Sequence, residues 1–216
     1  MSDDAYDVDF FWDPVCPWAW ITSRWVVEVQ QQRAYSVQWR FISLKMLNEH
    51  LVADWYTPEY RRGHMIGLEC LRVADAVRLA HDNDAVARLY TALGESIHLA
   101  GRRAEFHADS VPFIAEALRS AGLDETLAAH ALDESHDEHI RADTALALER
   151  TGKDVGTPIL TFRPGTDSES SFFGPVIARI PRGDEATRLW DAVEVIATTS
   201  GMAELKRSLR ERPRFD

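Results

Sequence analysis

Between Pro58 and Thr151 the chain carries helical spacing and no strand pattern, so any sheet it builds must join segments from its two ends. Core-facing positions recur at Met65, Leu68, Leu71, Val73, Ala76 and Leu79, at Phe113, Ala117 and Leu118, and at Ile140, Thr144 and Leu148. That three-to-four-residue repeat is the mark of amphipathic helices. Gly101, the start signal Asp109-Ser110-Val111-Pro112, Gly122 and Gly152 divide the block into four or five helices.

The ends read differently. Val8 to Trp12 is a short apolar run of strand type, broken by Asp13-Pro14-Val15-Cys16-Pro17 and followed by a helical pattern from Trp18 to about Gln31. Ser36 to Ile42 alternates, with Val37, Trp39 and Phe41 on one face. Two strands flanking a helix over so short a stretch predict a parallel βαβ unit. After the block, Gly156-Thr157-Pro158 leads into Ile159 to Phe162, a polar turn from Pro164 to Ser170, and Ser171 to Gly174, which together predict a hairpin. A last helix follows Gly183 to about Thr198. The order βαβ, helices, ββα predicts an α/β chain with a thioredoxin fold, split by an all-helical insertion. The expected division is 1–47, 48–152 and 153–216.

Composition narrows the function. The 216 residues, 45% of them hydrophobic, suffice for one domain, or one domain plus an insertion. The net charge is -11 and no run of Lys and Arg could track a phosphate backbone, which argues against nucleic acid. Met1 to Asp9 carries four Asp and no Lys or Arg, the opposite of a signal peptide. No apolar run approaches the ~18 residues that span a bilayer, so the expectation is a cytoplasmic protein with no membrane partner. Cys16 and Cys70 are the only cysteines, too few for a disulfide framework. Where cysteine matters here, it matters as chemistry.

Cys16 stands where a strand feeds a helix, so helix-terminal N–H groups are expected to stabilise a thiolate and lower its pKa. Pro17 suits the first helical position, where a missing N–H costs nothing. The competing reading is a small buried hydrophobe. Thr157-Pro158 precedes a predicted strand, where a cis proline in folds of this type sets the backbone of the preceding residue beside the nucleophile. That backbone could pair with an extended thiol ligand. The plain alternative is an ordinary loop.

The stretch Phe11-Trp12-Asp13-Pro14-Val15-Cys16-Pro17-Trp18-Ala19-Trp20-Ile21-Thr22-Ser23-Arg24-Trp25 closely resembles the active site of DsbA-like mycothiol-dependent nitroreductases of actinobacteria. The resemblance continues through Ser43-Leu44, Leu47-Asn48-Glu49, Pro58 to Arg61, Ile97-His98, Asp154 to Pro158, Phe172 to Val176 and Ile180 to Gly183. It implies a catalytic cysteine at Cys16 and mycothiol as thiol co-substrate, with no tightly bound cofactor. Trp18, Asn48 and Tyr60 would line the thiol or substrate pocket. Dithiol members carry Cys-Pro-Trp-Cys, whereas this chain has Ala19 at the second position. Thiol exchange runs through a mixed disulfide, so an external thiol must resolve it here. A glutaredoxin-like monothiol cycle on small molecules or mixed disulfides is therefore expected.

Other candidates rank lower. Cys70, in Leu68-Glu69-Cys70-Leu71, reads as core. His98 is a second-rank candidate for hydrogen bonding or proton supply, against a structural histidine. Among Trp12, Trp18, Trp20 and Trp25, only Trp18 is given a pocket role. His136 and His139 are metal-capable, yet no third ligand is indicated, and a solvated helix face with no metal is expected. Two further readings stay open. One is a thiol-cofactor transferase or isomerase resembling kappa-class glutathione transferases and hydroxychromene-carboxylate isomerases; the other is a thiol-binding module without turnover. A homodimer is compatible with all of these readings.

Overall fold

The computed structural model describes residues 6–215; the acidic start at Asp3 and Asp4 lies outside them. Four strands form one sheet in the order β2-β1-β3-β4. β1 (Val8–Trp12) pairs in parallel with β2 (Val37–Phe41) and antiparallel with β3 (Ile159–Phe162), which pairs antiparallel with β4 (Ser170–Phe173). α1 (Pro17–Gln30) crosses from β1 to β2, and α8 (Gly183–Thr198) closes the second half. The chain has a thioredoxin fold of DsbA type.

β1 is the hinge between the two ends of the chain. All five of its residues are buried, as a strand covered on both faces requires. Val8, Phe10 and Trp12 face the main core with Ile21, Trp25 and Trp190, while Phe11 faces Ile42, Ala147 and Ile159 on the other side. β2 keeps the predicted alternation, with Val37, Trp39 and Phe41 inward.

Between β2 and β3 lie a short α2 (Leu44–Leu47), α3 (Pro58–Ala80), α4 (Asn83–Gly94), α5 (Arg103–Ala108), α6 (Ser110–Ser120) and α7 (Asp137–Thr151). α4 continues as a π turn, Glu95–Leu99, and two 3-10 turns, Glu125–Leu132 and Glu134–His136, precede α7. The sequence pattern does not show α2 or these turns, because one turn of helix has no periodicity to read. No helix among the described residues is long and apolar enough to cross a membrane.

A chain of ion pairs ties the helices to the sheet. Asp9 of β1 pairs with Arg40 at 2.8 Å and Arg150 at 2.7 Å, Arg40 reaches Asp143 at 3.1 Å, and Arg78 of α3 joins Asp143 at 2.7 Å to Asp75 at 2.6 Å. Asp143 also accepts the backbone N–H of Phe41. Closer to the centre, the Trp20 indole of α1 lies flush against the α4 backbone at Gly94. A Cβ at Gly94 would fall 2.1 Å from the indole of Trp20, so only glycine allows that approach.

Candidate active site

Cys16 is the N-cap of α1, in extended backbone, and Pro17 begins the helix. Its Sγ accepts the Ala19 N–H at 3.4 Å. From the other side the thiol donates to the Thr157 carbonyl at 3.4 Å. The Thr157-Pro158 peptide is cis, as its placement predicts. Thr157 Oγ1 donates to the Phe11 carbonyl at 3.2 Å, and the Pro158 carbonyl accepts the Gly174 N–H at 2.8 Å. Pairing of β1 with β3 is what brings the two loops together across 141 positions of sequence.

The expected lowering of the Cys16 pKa is overturned. Cys16 is 6% exposed. Burial pushes its thiol up to about 12; the Ala19 N–H opposes this and the charge of Asp13 adds to it. Losing hydration costs a thiolate more than the N–H groups of Ala19 and Trp18 at the helix terminus return. The resting chain thus holds a neutral thiol that both donates and accepts a hydrogen bond.

Asp13 is the residue that sequence reasoning missed. It is fully buried; Oδ1 accepts the Val15 N–H at 3.0 Å and Oδ2 the Leu44 N–H at 2.8 Å, so one carboxyl braces the Cys16 loop against the start of α2. Burial raises its pKa to about 7 in spite of both bonds. α3 passes so close that a Cβ at Gly67 would sit 2.8 Å from Oδ1 and 3.2 Å from Val15 Cγ2. An Asp two residues before the N–H it takes is an Asx-turn signature, readable in advance. That α2 and α3 would seal it from water was not.

His98 lies in the π turn, 8% exposed, and its Nε2–H donates to the Pro14 carbonyl at 2.9 Å. Burial lowers its pKa to about 4, so it is neutral. Its ring stacks on Trp20 and packs beside Phe215. It holds the Cys16 loop from behind.

The structure brings Cys16, Pro17, Ala19, Thr157 and Pro158 together at one point. Ala19 is fully buried, and Trp18 is half-buried against the core. Asn48 caps α2, donating to the Leu44 carbonyl at 2.8 Å. Tyr60 is exposed on α3, edge-on to Trp55 and His64. Asn48 and Tyr60 are engaged with these neighbours rather than with Cys16. Spacing nevertheless puts Tyr60, His64 and Gly67 on one face of α3, the face that leads to the Cys16 loop. Trp12, Trp20 and Trp25 are fully buried packing residues. Cys70 is fully buried, both cysteines are free, and burial raises the Cys70 pKa.

Comparison with known proteins gives a consistent picture. The profile of the Rv2466c-like family, described as mycothiol-dependent nitroreductase Rv2466c, matches residues 15–207. The uncharacterized protein Rv2286c of Mycobacterium tuberculosis is 32% identical over 203 residues, 93% of this chain and 81% of that one. The cytosolic disulfide reductase DsbM of Pseudomonas aeruginosa, solved with GSH, superposes with a TM-score of 0.54 at 16% identity, over 87% of this chain and 98% of that one. A probable DsbA oxidoreductase of Streptomyces coelicolor superposes with a TM-score of 0.55 at 15% identity, over 86% and 87% of the two chains.

Proposed function

The chain belongs to the Rv2466c-like family of mycothiol-dependent nitroreductases, and from that premise we propose that it is a thiol-disulfide oxidoreductase working through Cys16 alone, with mycothiol as its thiol. The observation that carries this reading is the position of the Cys16 sulfur, between the Ala19 N–H and the Thr157 carbonyl at the start of α1. Ala19 supplies no second thiol, and Cys70 is sealed in the core.

In the proposed cycle the Cys16 thiol loses its proton to solvent or substrate as the site opens. The thiolate attacks the mycothiol sulfur of a mixed disulfide, forming Cys16–S–S–mycothiol and expelling the other sulfur, which takes up a proton. A second mycothiol then attacks the adduct, releasing Cys16 as thiol and leaving mycothiol disulfide. The net exchange consumes one free mycothiol: substrate–mycothiol disulfide plus mycothiol gives the substrate thiol plus mycothiol disulfide, and Cys16 returns unchanged. The Thr157 carbonyl is occupied by the thiol at rest, so deprotonation also frees this backbone edge for an incoming extended thiol. The ring edges of Tyr60 and Trp55 offer an apolar wall for a flat small-molecule substrate.

The neutral, enclosed state of Cys16 favours one second reading, in which a bound thiol cofactor is the nucleophile and Cys16 only hydrogen-bonds it. The test is mass spectrometry of wild-type, Cys16→Ser and Cys70→Ala protein after incubation with mycothiol disulfide, then with excess mycothiol. The proposal expects an adduct in wild type and Cys70→Ala, none in Cys16→Ser, and release by excess thiol. Turnover retained in Cys16→Ser would establish the cofactor-thiol reading instead, and an adduct that excess thiol leaves in place would mean a binding module.

A further inference from the structure

Away from Cys16, three side chains converge where the two 3-10 turns meet. His130 Nδ1 lies 2.9 Å from His136 Nε2, and Asp133 Oδ2 lies 3.7 Å from the first and 3.9 Å from the second. All three donor atoms fall within 4.8 Å of one another. Ligand atoms bound tetrahedrally to zinc at its usual bond lengths sit roughly 3.3 Å apart, and the three separations bracket that value. His130 lies near the end of the first turn, His136 ends the second, and Asp133 is the extended residue that joins them. Spacing alone pairs His136 with His139; the fold pairs it with His130.

The surroundings are those of a held ligand. His136 is buried, and its Nδ1 donates to the fully buried Asp75 Oδ2 at 2.8 Å. This leaves the Nε2 lone pair directed at His130. A carboxylate behind the distal ring nitrogen is the arrangement that orients a metal-binding imidazole. Asp75 is itself held by Arg78 at 2.6 Å, and it also accepts from His139 at 2.9 Å. On the outer side His130 and Asp133 are partly exposed, which leaves a route for an ion and room for water as a further ligand.

We propose that His130, Asp133 and His136 form a binding site for one divalent transition-metal ion of the zinc class. Two imidazoles and one carboxylate suit such an ion and are poor ligands for calcium or magnesium. The ion takes the place of the hydrogen between the two rings, and the His130 proton moves to its outer nitrogen. Its role is structural: Asp75, Arg78 and Asp143 connect His136 to β2, so metal would clamp the 3-10 turns onto α3 and the sheet. No residue of the Cys16 site takes part.

The test is titration of chelator-stripped full-length protein with Co²⁺, read in the visible, and with Zn²⁺, read by calorimetry and thermal melting. The expected result is one ion per chain with nitrogen and oxygen ligation, and a melting point raised by roughly 5 °C or more at saturating Zn²⁺. Cys16→Ser protein should behave identically. His130→Ala and Asp133→Ala, both partly exposed and expected to fold, should each weaken binding by about tenfold or more. No saturable binding, binding untouched by these two substitutions, or the charge-transfer bands of cobalt bound to thiolate would each overturn the proposal.

Discussion

The Cys16 thiol donates to the carbonyl of Thr157 at 3.4 Å while accepting the N–H of Ala19. A sulfur engaged in both directions is satisfied as a neutral group. Reactivity therefore depends on letting water or ligand in, rather than on a thiolate stored at rest.

The first prediction concerns that stored proton. With the Cys16 pKa pushed up to about 12 by burial, alkylation by iodoacetamide in Cys70→Ala protein should be slow at pH 7 and keep rising past pH 9, where a free thiol has levelled off. Because the folded value lies above the unfolded one, Cys16 contributes stability that is full below about pH 8.5 and lost as pH climbs toward about 12. Mass spectrometry across pH checks the rate; a plateau below pH 8 would contradict it.

Asp13→Asn should make Cys16 more reactive. The carboxylate's charge is one of the causes that raise the thiol's pKa, so an amide should speed alkylation at pH 8. Wild-type stability should fall between about pH 4 and pH 7, because the folded Asp13 gives up its proton only near pH 7 whereas an unfolded one does so near 3.9. The cost at pH 8 is roughly 4 kcal/mol. Chemical denaturation across this range should show a flatter profile in the variant, which meanwhile loses one of the two N–H bonds to Val15 and Leu44.

Gly94→Ala should be severely destabilising, by about 3 kcal/mol or more. The added methyl meets the Trp20 indole at 2.1 Å, and Trp20 is fully enclosed beside His98 with nowhere to move. A urea midpoint within error of wild type would show that the Trp20 indole does not press on the α4 backbone at Gly94.

Asp143→Ala should cost about 3–5 kcal/mol, since it leaves Arg40, Arg78 and the Phe41 N–H without their shared acceptor. Asp143→Asn should recover part of that loss by keeping an acceptor oxygen. Thermal melting of both variants checks the order.

The strands, α1, α3, α7 and α8 were legible from the chain because their signals are local: alternation in Val37 to Phe41, helical spacing in Pro58 to Ala80, Pro17 after a strand, Gly152 after a helix. The thioredoxin order followed from placing those elements in sequence, and Cys16 and Thr157-Pro158 stood out because each lies at a junction of two such signals. Tertiary structure alone decided what those residues experience. The Cys16 pKa depends on how much water reaches the sulfur, and that is set by β3, Asp13 and the helices behind it, none of which is near in sequence except Asp13. The same holds for Asp13, sealed by α2 and α3, and for His136, whose partners are Asp75 and His130 rather than the His139 that spacing suggested. Hydrophobic period is a property of neighbours along the chain; desolvation and donor geometry belong to neighbours in space, and only the folded chain contains those.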